Sequence, residues 1–572
     1  MNITSGIFKF TLDLDNKTAE LSGLIDKNQE IDSIIVNETI FYECDEYTVT
    51  KIGNSAFAYC RTLRSVFLPD TIECIGEHAF SDCESLSHIV LPDRLKTIKS
   101  GAFIRCKSLT SIELPNSITN LEPHLFQECY LLRSINIPEN ITRISAYAFH
   151  RCSSLKSIYI PQTVQFIGRD AFSDCYAIEH IVIPFGIENI EEETFENCKS
   201  LKSIIIPDGI LRVKLGAFRG CKSLDTISLP NSVGMIDNCA FQYCSSLVTI
   251  HLPNTIASIG NCAFEGCSAL QNVKIPELVK EIRHNVFKGC IALETVEFSS
   301  YIEDIGQEAF MDCASLQNIA LPPSVETIGM KAFQGCHRLH SVDLSNVKFI
   351  HKEAFSFCES LESITLPKTV QHMNNDTFTY CTGLKSISVD SANTTYDSRN
   401  DCNAIIHTQT NTIISGCANT TIPDSVSCIG YNAFCGSLLT LCIIPDHILS
   451  IGPEAFYRCP KLGAVIIGKG CTIVGDSAFA ECDSLAAIIL GQNIAHIGSK
   501  AFSESKSLAS IVIPKGVTSI GDDAFLECIS LTYIHFNGSK SSFKLICKGE
   551  NPMQLTPAKC VRCIDGDIQL PT

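Results

Sequence analysis

The chain repeats one pattern of apolar and polar positions every 23 residues. Phenylalanine marks it from Phe57 to Phe333 in steps of 23, and steps of 22 and 23 then lead to Phe355 and Phe378. Five further copies lie at Phe434, Phe456, Phe479, Phe502 and Phe525, which gives 20 rungs in all. Each rung approximates L-x-x-I-x-[LI]-P-x-x-[VI]-x-x-I-G-x-x-A-F-x-x-C-x-x, as residues 151–173 show.

The rung predicts two short strands joined by turns. The segment L-x-x-I-x-[LI] alternates at its end, which is typical of a strand with one buried face. The following Pro ends that strand because it cannot donate a hydrogen bond to a ladder, and [VI]-x-x-I-G forms a second extended piece. Gly stands four residues before Phe in 11 of 20 rungs and is predicted to permit a backbone turn there. The small Ala before Phe allows tight packing beside the ring.

A single rung cannot bury its apolar side, so the rungs must stack. We therefore predict a β-rich solenoid, a leucine-rich-repeat superhelix of about 20 rungs with short parallel strands and an internal spine of Phe rings. The period of 23 lies within the leucine-rich-repeat range of about 20–29 residues, whereas tetratricopeptide and ankyrin arrays need about 33–34 residues and helical patterns.

Composition and charge exclude several classes of protein. Of 572 residues, 45% are hydrophobic and 19% are charged, which supplies a core and is unlike a disordered chain. The formal net charge of −18 repels phosphate backbones, so nucleic acid is not an expected partner. No apolar run reaches the roughly 18 residues of a transmembrane helix. The N-terminus lacks the features of a standard secretory signal, which leaves the expected location open between the cell surface and the cytoplasm.

Cysteine forms a second column in the repeat. Eighteen of the 20 rungs carry Cys three residues after Phe, and the exceptions have Ser437 and Ser505 at that position. We predict reduced, buried structural thiols whose S–H groups donate to a loop carbonyl. Disulfides are the alternative, but stacked side chains that point the same way have poor geometry for them. The column offers no converging ligand set for a metal.

Two short motifs suggest chemistry without the context that it needs. The string from Gly463 to Gly470 resembles a phosphate-binding loop, but Gly470 replaces the required Ser or Thr and the string falls in a strand. Cys560 and Cys563, with Cys547 upstream, have C-x-x-C spacing, but zinc needs four ligands. Free thiols or one disulfide in a terminal cap are the alternatives. Nothing supplies a nucleophile, a base and an orienting group together, so no enzyme activity, cofactor or metal is predicted.

The rung resembles the BspA-like, or Treponema-type, leucine-rich repeat over about residues 46–536, through L-x-x-I-x-[LI]-P, I-G-x-x-A-F and C. Residues 7–21 read as a hairpin around Asp15 and Asn16 that leads into YTVTKIGNSAF, similar to the family's entry into its first rung. Residues 400–423 resemble the hairpin-like insertion of these proteins. The resemblance implies an elongated solenoid. Characterised members, from anaerobic bacteria and parasitic protists, are mostly surface proteins that bind host matrix proteins or other cells.

These features divide the chain into five segments. An N-terminal cap with a β-hairpin (1–45) precedes a first set of repeats (46–389), a hairpin-like insertion (390–420), a second set of repeats (421–536) and a C-terminal cap (537–572). The insertion is predicted to protrude, as a contact point or a bend.

The outward face of the sheet is set by positions eight and ten after each Phe. Position eight is nearly a row of Ser and Thr, which predicts hydroxyl contacts on a solvated sheet. Position ten varies, and two apolar runs are predicted to form exposed stripes that bind a partner; alternatively, strand-forming residues simply fill a strand there. The first stripe is Tyr159, Val182 and Ile205, and the second stripe is Ala464, Ile466, Ala487, Ile489 and Val512.

The sequence thus favours a non-enzymatic protein-binding scaffold. By resemblance it is a surface-associated adhesion protein that binds host or matrix proteins through the sheet face, with avidity along many rungs. An intracellular leucine-rich-repeat interaction scaffold is the alternative, and the many expected free thiols favour it.

Overall fold

The structure is a computed structural model that describes residues 1–26, 30–547, 553 and 555–570. It is a β-solenoid of about 22 turns with short parallel strands, a 23-residue period and buried columns of Phe and Cys, which confirms the predicted fold. The chain divides into two compact units, residues 1–280 with 285–299, and residues 281–284 with 300–572. Lys540–Ile546 is the one α-helix of the described residues, and Arg399–Asp401 is a 3-10 turn.

A typical rung contains two strands, of which the second is always two residues long. The first strand alternates between exposed and buried residues, as in Ser203–Ile205, where only Ile204 is buried. The second strand ends on a buried aliphatic residue, as in Arg212–Val213. Like strands of successive rungs pair in parallel without a shift of register, so that Arg212 lies opposite Met235. Side chains one period apart therefore lie side by side.

The strands of the first unit follow this scheme after an antiparallel cap. Its first strands are Ser33–Ile35, Ser65–Phe67, His88–Val90, Ser111–Glu113, Ser134–Asn136, His180–Val182, Ser203–Ile205, Thr226–Ser228, Thr249–His251, Asn272–Lys274 and Thr295–Glu297. Its second strands are Cys74–Ile75, Thr97–Ile98, Asn120–Leu121, Arg143–Ile144, Phe166–Ile167, Asn189–Ile190, Arg212–Val213, Met235–Ile236 and Ser258–Ile259. The cap strands are Asn2–Ser5, Phe8–Asp13, Thr18–Leu24, Thr39–Tyr42 and Asp45–Ile52.

The second unit repeats the scheme around an insertion and ends on a hairpin. Its first strands are Asn318–Ile319, Ser341–Val342, Ser363–Leu366, Ser386–Val389, Leu441–Ile444, Ala464–Ile467, Ala487–Ile489, Ser510–Ile513, Tyr533–Phe536, Cys560–Cys563 and the antiparallel Gly566–Gln569. Its second strands are Glu281–Ile282, Asp304–Ile305, Thr327–Ile328, Phe349–Ile350, His372–Met373, Cys428–Ile429, Ser450–Ile451, Ile473–Val474, His496–Ile497 and Ser519–Ile520. The insertion adds Tyr396–Asp397, Ala404–His407 and Thr412–Gly416.

The solenoid begins before the first Phe of the repeat. Phe8–Asp13 and Thr18–Leu24 form an antiparallel hairpin about Asp15 and Asn16. Ser33–Ile35 then pairs in parallel with the strand of the first Phe rung. This early turn carries no Phe at the repeat position, so counting Phe residues gives 20 rungs where the structure has about 22 turns.

The insertion belongs to the core, and the prediction that it protrudes is wrong. Ala404–His407 and Thr412–Gly416 form an antiparallel pair, and Thr412–Gly416 continues in parallel into Cys428–Ile429. Ile406 and Ile413 are fully buried. Both strands of the hairpin carry apolar residues, and burying these residues is more favourable than exposing them to water. The hairpin therefore takes the place of a second strand in the stack.

The Phe rings form one stack in the first unit and two stacks in the second unit, before and after the insertion. From Phe57 to Phe287, neighbouring ring centroids lie 5.3 to 5.7 Å apart and the planes differ by at most 17°. In the second unit the spacing is 5.3 to 5.7 Å from Phe310 to Phe378 and 5.0 to 5.8 Å from Phe434 to Phe525. Each inner ring therefore supports the ring on either side of it.

The Cys column is hydrogen-bonded to the same spine. The Sγ atom of Cys244 donates to the carbonyl oxygen of Phe218, in the preceding rung, at 3.1 Å. At Ser505 the hydroxyl takes over this role and donates to Phe479 at 2.9 Å. The position thus selects a small donor, which confirms the predicted structural column. The bond recurs at 3.1 to 3.3 Å from Cys83, Cys106, Cys129, Cys152, Cys175, Cys198, Cys221, Cys267, Cys290, Cys336, Cys358, Cys381, Cys459, Cys482 and Cys528.

The glycine four residues before Phe has a different role from the predicted turn. None of these glycines has a positive φ. A Cβ atom at Gly260 would instead lie 2.3 Å from the backbone nitrogen of Asn238, so glycine there permits close contact between rungs. Residues with a left-handed backbone conformation lie instead two positions before and two positions after Phe. Tyr147 (φ 60°) and Arg151 (φ 61°) are examples.

We expect the substitution Gly260→Ala to lower the free energy of unfolding by about 1–3 kcal/mol, because the new methyl group must push two rungs apart. Gly234→Ala is the matched control, since its Cβ would meet nothing closer than 3.9 Å and should be tolerated. Urea denaturation followed by circular dichroism measures both variants. Equal losses in the two would show that close contact is not the reason for glycine at this position.

A ladder of alternating charge runs along five successive rungs of the first unit, from Asp82 to Asp174, at the position two residues after Phe. Arg105 lies 3.6 Å from Asp82 and 3.3 Å from Glu128. Arg151 lies 3.9 Å from Glu128 and 3.3 Å from Asp174. The carboxylates are largely covered and the guanidinium groups are about half exposed. Each inner rung of this segment, those of Arg105, Glu128 and Arg151, therefore faces the opposite charge on both neighbouring rungs.

Candidate protein-binding surface

The first stripe lies on the exposed face of three consecutive rungs. Val182 and Ile205 lie directly opposite each other in paired parallel strands. Tyr159 takes the equivalent place one rung earlier, where Ser157 forms an isolated bridge with His180. The three side chains are 61%, 49% and 62% exposed in the order Tyr159, Val182, Ile205. The structure thus brings them together in solvent, on strands whose other face is fixed in the core.

Polar and charged groups border the first stripe. The Lys202 ammonium lies 2.7 Å from the Glu179 carboxylate, and the imidazole of His180 lies 2.7 Å from the Ser203 hydroxyl. Position eight therefore makes side-chain contacts between rungs, as expected for a solvated sheet. The result is an apolar strip with a polar edge, the usual composition of a protein-binding patch.

The second stripe lies on three successive first strands of the second unit. Ala464 is opposite Ala487, and Ile466 is opposite Ile489. Ile466, Ile489 and Val512 are 39%, 61% and 45% exposed. Ala487 is exposed and Ala464 is half-buried. All five residues lie on the outward face.

Sequence reasoning missed two apolar extensions of this surface. Ile443 is exposed and lies opposite Ile466, but it stands nine residues after Phe434 because that rung has 22 residues; the shortened step is the signal that would have found it. Ile35 is exposed and lies opposite Phe67, which in turn lies opposite Val90. Ile35 precedes the first Phe of the repeat, so the period does not reach it.

The motifs that suggested chemistry have ordinary structural settings. Residues 464–467 of the loop-like string form a strand. Cys560 and Cys563 lie three residues apart in one strand, so their side chains point to opposite faces. Burial raises the pKa of the Cys547 thiol to about 11.

One group of carboxylates in the described residues, Asp170, Glu193 and Glu196, is close enough to hold a metal ion, with oxygen atoms within 4.8 Å of one another. Arginine occupies the group. Arg219 lies 2.8 Å from Glu193 and 2.6 Å from Glu196, and Arg169 lies 3.2 Å from Asp170. Burial raises the pKa of Glu196. The arrangement is a network of ion pairs that ties neighbouring rungs together.

The repeats of this chain match the family model described as BspA type leucine rich repeat region, over residues 50–179, 166–294, 280–404 and 414–547. The chain belongs to the BspA-type leucine-rich-repeat family. No curated protein matches it. Among the residues that the structure describes, no helix of this BspA-type protein is both long enough and apolar enough to span a membrane.

Three solved structures similar to this BspA-type chain are bacterial proteins. A leucine-rich repeat protein of Bacteroides ovatus is 23% identical, covers 85% of this chain and 94% of its own, and has a TM-score of 0.45. A leucine rich cell surface protein of Faecalibacterium prausnitzii is 19% identical, covers 96% and 98%, and has a TM-score of 0.23. The pneumococcal vaccine antigen PcpA is 17% identical, covers 69% and 94%, and has a TM-score of 0.42.

Proposed function

We propose that this BspA-type protein is a non-enzymatic scaffold that binds partner proteins through its exposed strand face, and that it acts at a cell surface on host or matrix proteins. The observation that carries the proposal is the first stripe, in which three large exposed side chains lie side by side on strands anchored in the core. Membership of a family whose characterised members are mostly surface-associated binding proteins supports the location.

The physical basis is a rigid display of apolar side chains. Binding costs free energy when side chains or loops must be ordered, and strands that are already paired to their neighbours reduce that cost. Tyr159 has the character of an anchor residue, because it combines a large apolar ring with a hydroxyl group. Repetition of the strand face along the chain adds avidity for partners that are themselves extended.

We expect Ile205→Glu to weaken partner binding at least about tenfold, because a carboxylate of the first stripe would be desolvated against the partner. Ile205 is 62% exposed, so the fold should be unaffected. Surface plasmon resonance over a panel of immobilised matrix proteins measures the binding, and thermal unfolding measures the fold. Ser228→Glu, on the outward face of the following rung, is the control and should bind as the natural chain does.

Two outcomes would contradict this proposal. Unfolding of Ile205→Glu would mean that the residue faces the core in solution. Unchanged binding by a folded Ile205→Glu protein, on a matrix protein that the natural chain binds, would remove the first stripe from the binding surface.

An intracellular interaction scaffold is the second candidate function. The observation that favours it is the Cys column, because the hydrogen bond from each thiol to a Phe carbonyl needs reduced sulfur. Labelling of intact source cells with a membrane-impermeant reagent separates the two candidates. Labelling without permeabilisation supports the surface protein, and labelling only after permeabilisation supports the intracellular scaffold.

A further inference from the structure

Two cysteines outside the column lie side by side in successive rungs of the first unit. Cys239 and Cys262, the dithiol pair, each stand two residues before the Phe of their rung, and no other two cysteines outside the column are 23 residues apart. Both have a left-handed backbone with a φ of 57°, and both are partly exposed. The rungs on either side carry Gly216 and Asn285 at this position, so each thiol has one partner of its own kind.

The backbone brings the two residues within the range of a disulfide. The amide of Cys239 donates to the carbonyl oxygen of Asn261, the residue before Cys262, at 2.9 Å. The rings of Phe241 and Phe264 in the same rungs stack at 5.4 Å. A spacing of about 4.8 Å between paired segments lies within the roughly 4.4–6.8 Å between Cα atoms that a disulfide spans. The two thiols are also within hydrogen-bonding reach of each other.

The column in the same two rungs has the same spacing but is held differently. The Sγ atoms of Cys244 and Cys267 donate to the carbonyl oxygens of Phe218 and Phe241, at 3.1 and 3.2 Å, and both side chains are fully buried. Turning one column thiol toward the other would break that hydrogen bond inside the core, which is unfavourable. The dithiol pair lies instead in partly exposed turns, where a side chain can change its rotamer without displacing core residues.

The two thiols of the dithiol pair have different charged neighbours. The Arg219 guanidinium lies beside Cys239, and the Glu265 carboxylate lies beside Cys262. Gln242 donates to Glu265 at 2.8 Å and so fixes the carboxylate. Burial raises the pKa of the Cys262 thiol to about 12, and Glu265 adds to the rise. Burial also raises the pKa of the Cys239 thiol, but Arg219 opposes that rise. Cys239 is therefore the better source of a thiolate, the form that attacks a disulfide.

We propose that the dithiol pair is a redox-active site, in which Cys239 and Cys262 form a reversible disulfide by exchange with a low-molecular-weight disulfide. First, the Cys239 thiolate attacks one sulfur of the small disulfide, whose S–S bond breaks and releases one thiolate, and this thiolate takes up the proton that Cys239 has lost. Cys262 then attacks the Cys239 sulfur of the mixed disulfide, and the second small thiol leaves with the Cys262 proton. The two protein thiols are oxidised, and the small disulfide is reduced to two thiols.

The inference goes beyond the proposed function and does not depend on it. A closed pair joins two rungs covalently and restricts the unfolded chain, so closure is expected to raise the urea midpoint. A reducing cell interior would keep the pair open, and an oxidising exterior would close it. The column is expected to stay reduced in both places, because its thiols are buried and hydrogen-bonded.

Incubation of the full chain in buffers of reduced and oxidised glutathione tests the site. After the free thiols are alkylated in denaturant, chymotrypsin cuts after Phe241 and Phe264 and so separates the dithiol pair from Cys244 and Cys267. We expect a disulfide within the pair, with the loss of two of the 31 thiols, and its reversal by an excess of reduced glutathione. Cys244 and Cys267 are the matched control in the same two rungs and should be recovered alkylated.

Either of two results would overturn the inference. The first is the absence of a disulfide within the pair at every ratio of the two forms of glutathione. The second is oxidation of Cys244 and Cys267 as readily as the pair, since exposure and contact would then not select the site. Both results are obtained on the natural chain, so neither depends on the folding of a variant.

Two variants test which thiol attacks first. Cys262→Ser should accumulate a stable mixed disulfide between Cys239 and glutathione, because the thiol that completes the exchange is missing. Cys239→Ser should accumulate at least about fivefold less mixed disulfide at Cys262 in the same time, because its thiolate is rarer. Equal accumulation in two variants that circular dichroism shows to be folded would contradict the order of attack.

Discussion

Raising the pH above 9 is expected to unfold this protein, because the thiols of the Cys column ionise there in the unfolded chain but not in the folded one. Burial raises the pKa of the Cys129, Cys244 and Cys381 thiols to about 12, against 9.0 for an unperturbed thiol. The stabilisation from each thiol is therefore complete below pH 9 and is lost as the pH rises toward 12, because the unfolded chain releases the proton first. Each contributes a fall of about 1.4 kcal/mol per pH unit.

The effect is large because the thiols are many. A few such groups acting together exceed the roughly 5–15 kcal/mol of net stability of a typical domain within one or two pH units. We expect urea midpoints measured by circular dichroism to be flat from pH 7 to pH 8.5 and to fall steeply above pH 9. Tyrosine and lysine also titrate in this range, so the contribution of the thiols needs a control of its own.

The control is the triple variant Cys221→Ser, Cys244→Ser and Cys267→Ser. Serine keeps the hydrogen bond, as Ser505 does naturally, but its hydroxyl does not ionise below pH 12. The slope of the unfolding free energy above pH 9 should become shallower by about 4 kcal/mol per pH unit. An unchanged slope would assign the alkaline loss to other groups.

Phe241→Ala is expected to lower the free energy of unfolding by about 3–5 kcal/mol. The ring of Phe241 is fully buried and is stacked between Phe218 and Phe264, with centroids 5.3 and 5.4 Å away. Its removal leaves a cavity that neither neighbour can fill, because each is held by the next ring in turn. Urea denaturation at pH 7 measures the loss.

Phe185→Ala provides the comparison. The Phe185 ring is 69% exposed, so its removal should lower the free energy of unfolding by no more than about 0.5 kcal/mol. In Phe241→Leu the leucine side chain fills more of the cavity than alanine does. Its loss of unfolding free energy should therefore lie between those of Phe241→Ala and Phe185→Ala. If Phe241→Ala and Phe185→Ala lose equal stability, the spine does not hold the first unit together.

The period, the spine and the Cys column could be predicted from the sequence because each rests on apolar residues at fixed spacing. A side chain that is buried in every rung, as that of Phe241 is, appears in the sequence as the same residue type once per repeat. The role of glycine could not be predicted in this way. The sequence does not distinguish Gly260 from a glycine with positive φ; only its short distance to Asn238 in the preceding rung does so.

The outward face of the candidate surface followed from strand alternation, which exposes Val182 and Ile205 once their neighbours are buried. Alternation fails where spacing changes. The rung after Phe434 is one residue short, so counting from Phe places Ile444 on the outward face, where the structure has Ile443. The prediction that the insertion protrudes fails for a related reason. The apolar residues of the insertion are spaced for the pairing of a hairpin and not for the 23-residue repeat.

The ladder of alternating charge constrains how the gene for this protein can change in length. The gain or loss of one whole repeat keeps the register of the strands, because equivalent residues of successive rungs pair without a shift. Between Asp82 and Asp174, however, loss of the single rung that carries Arg105 would place Asp82 beside Glu128, and its duplication would place two arginines side by side. Only the gain or loss of two rungs at once preserves the sequence of opposite charges. This segment is therefore expected to keep its number of repeats, or to change it in pairs, when related genes differ in length elsewhere.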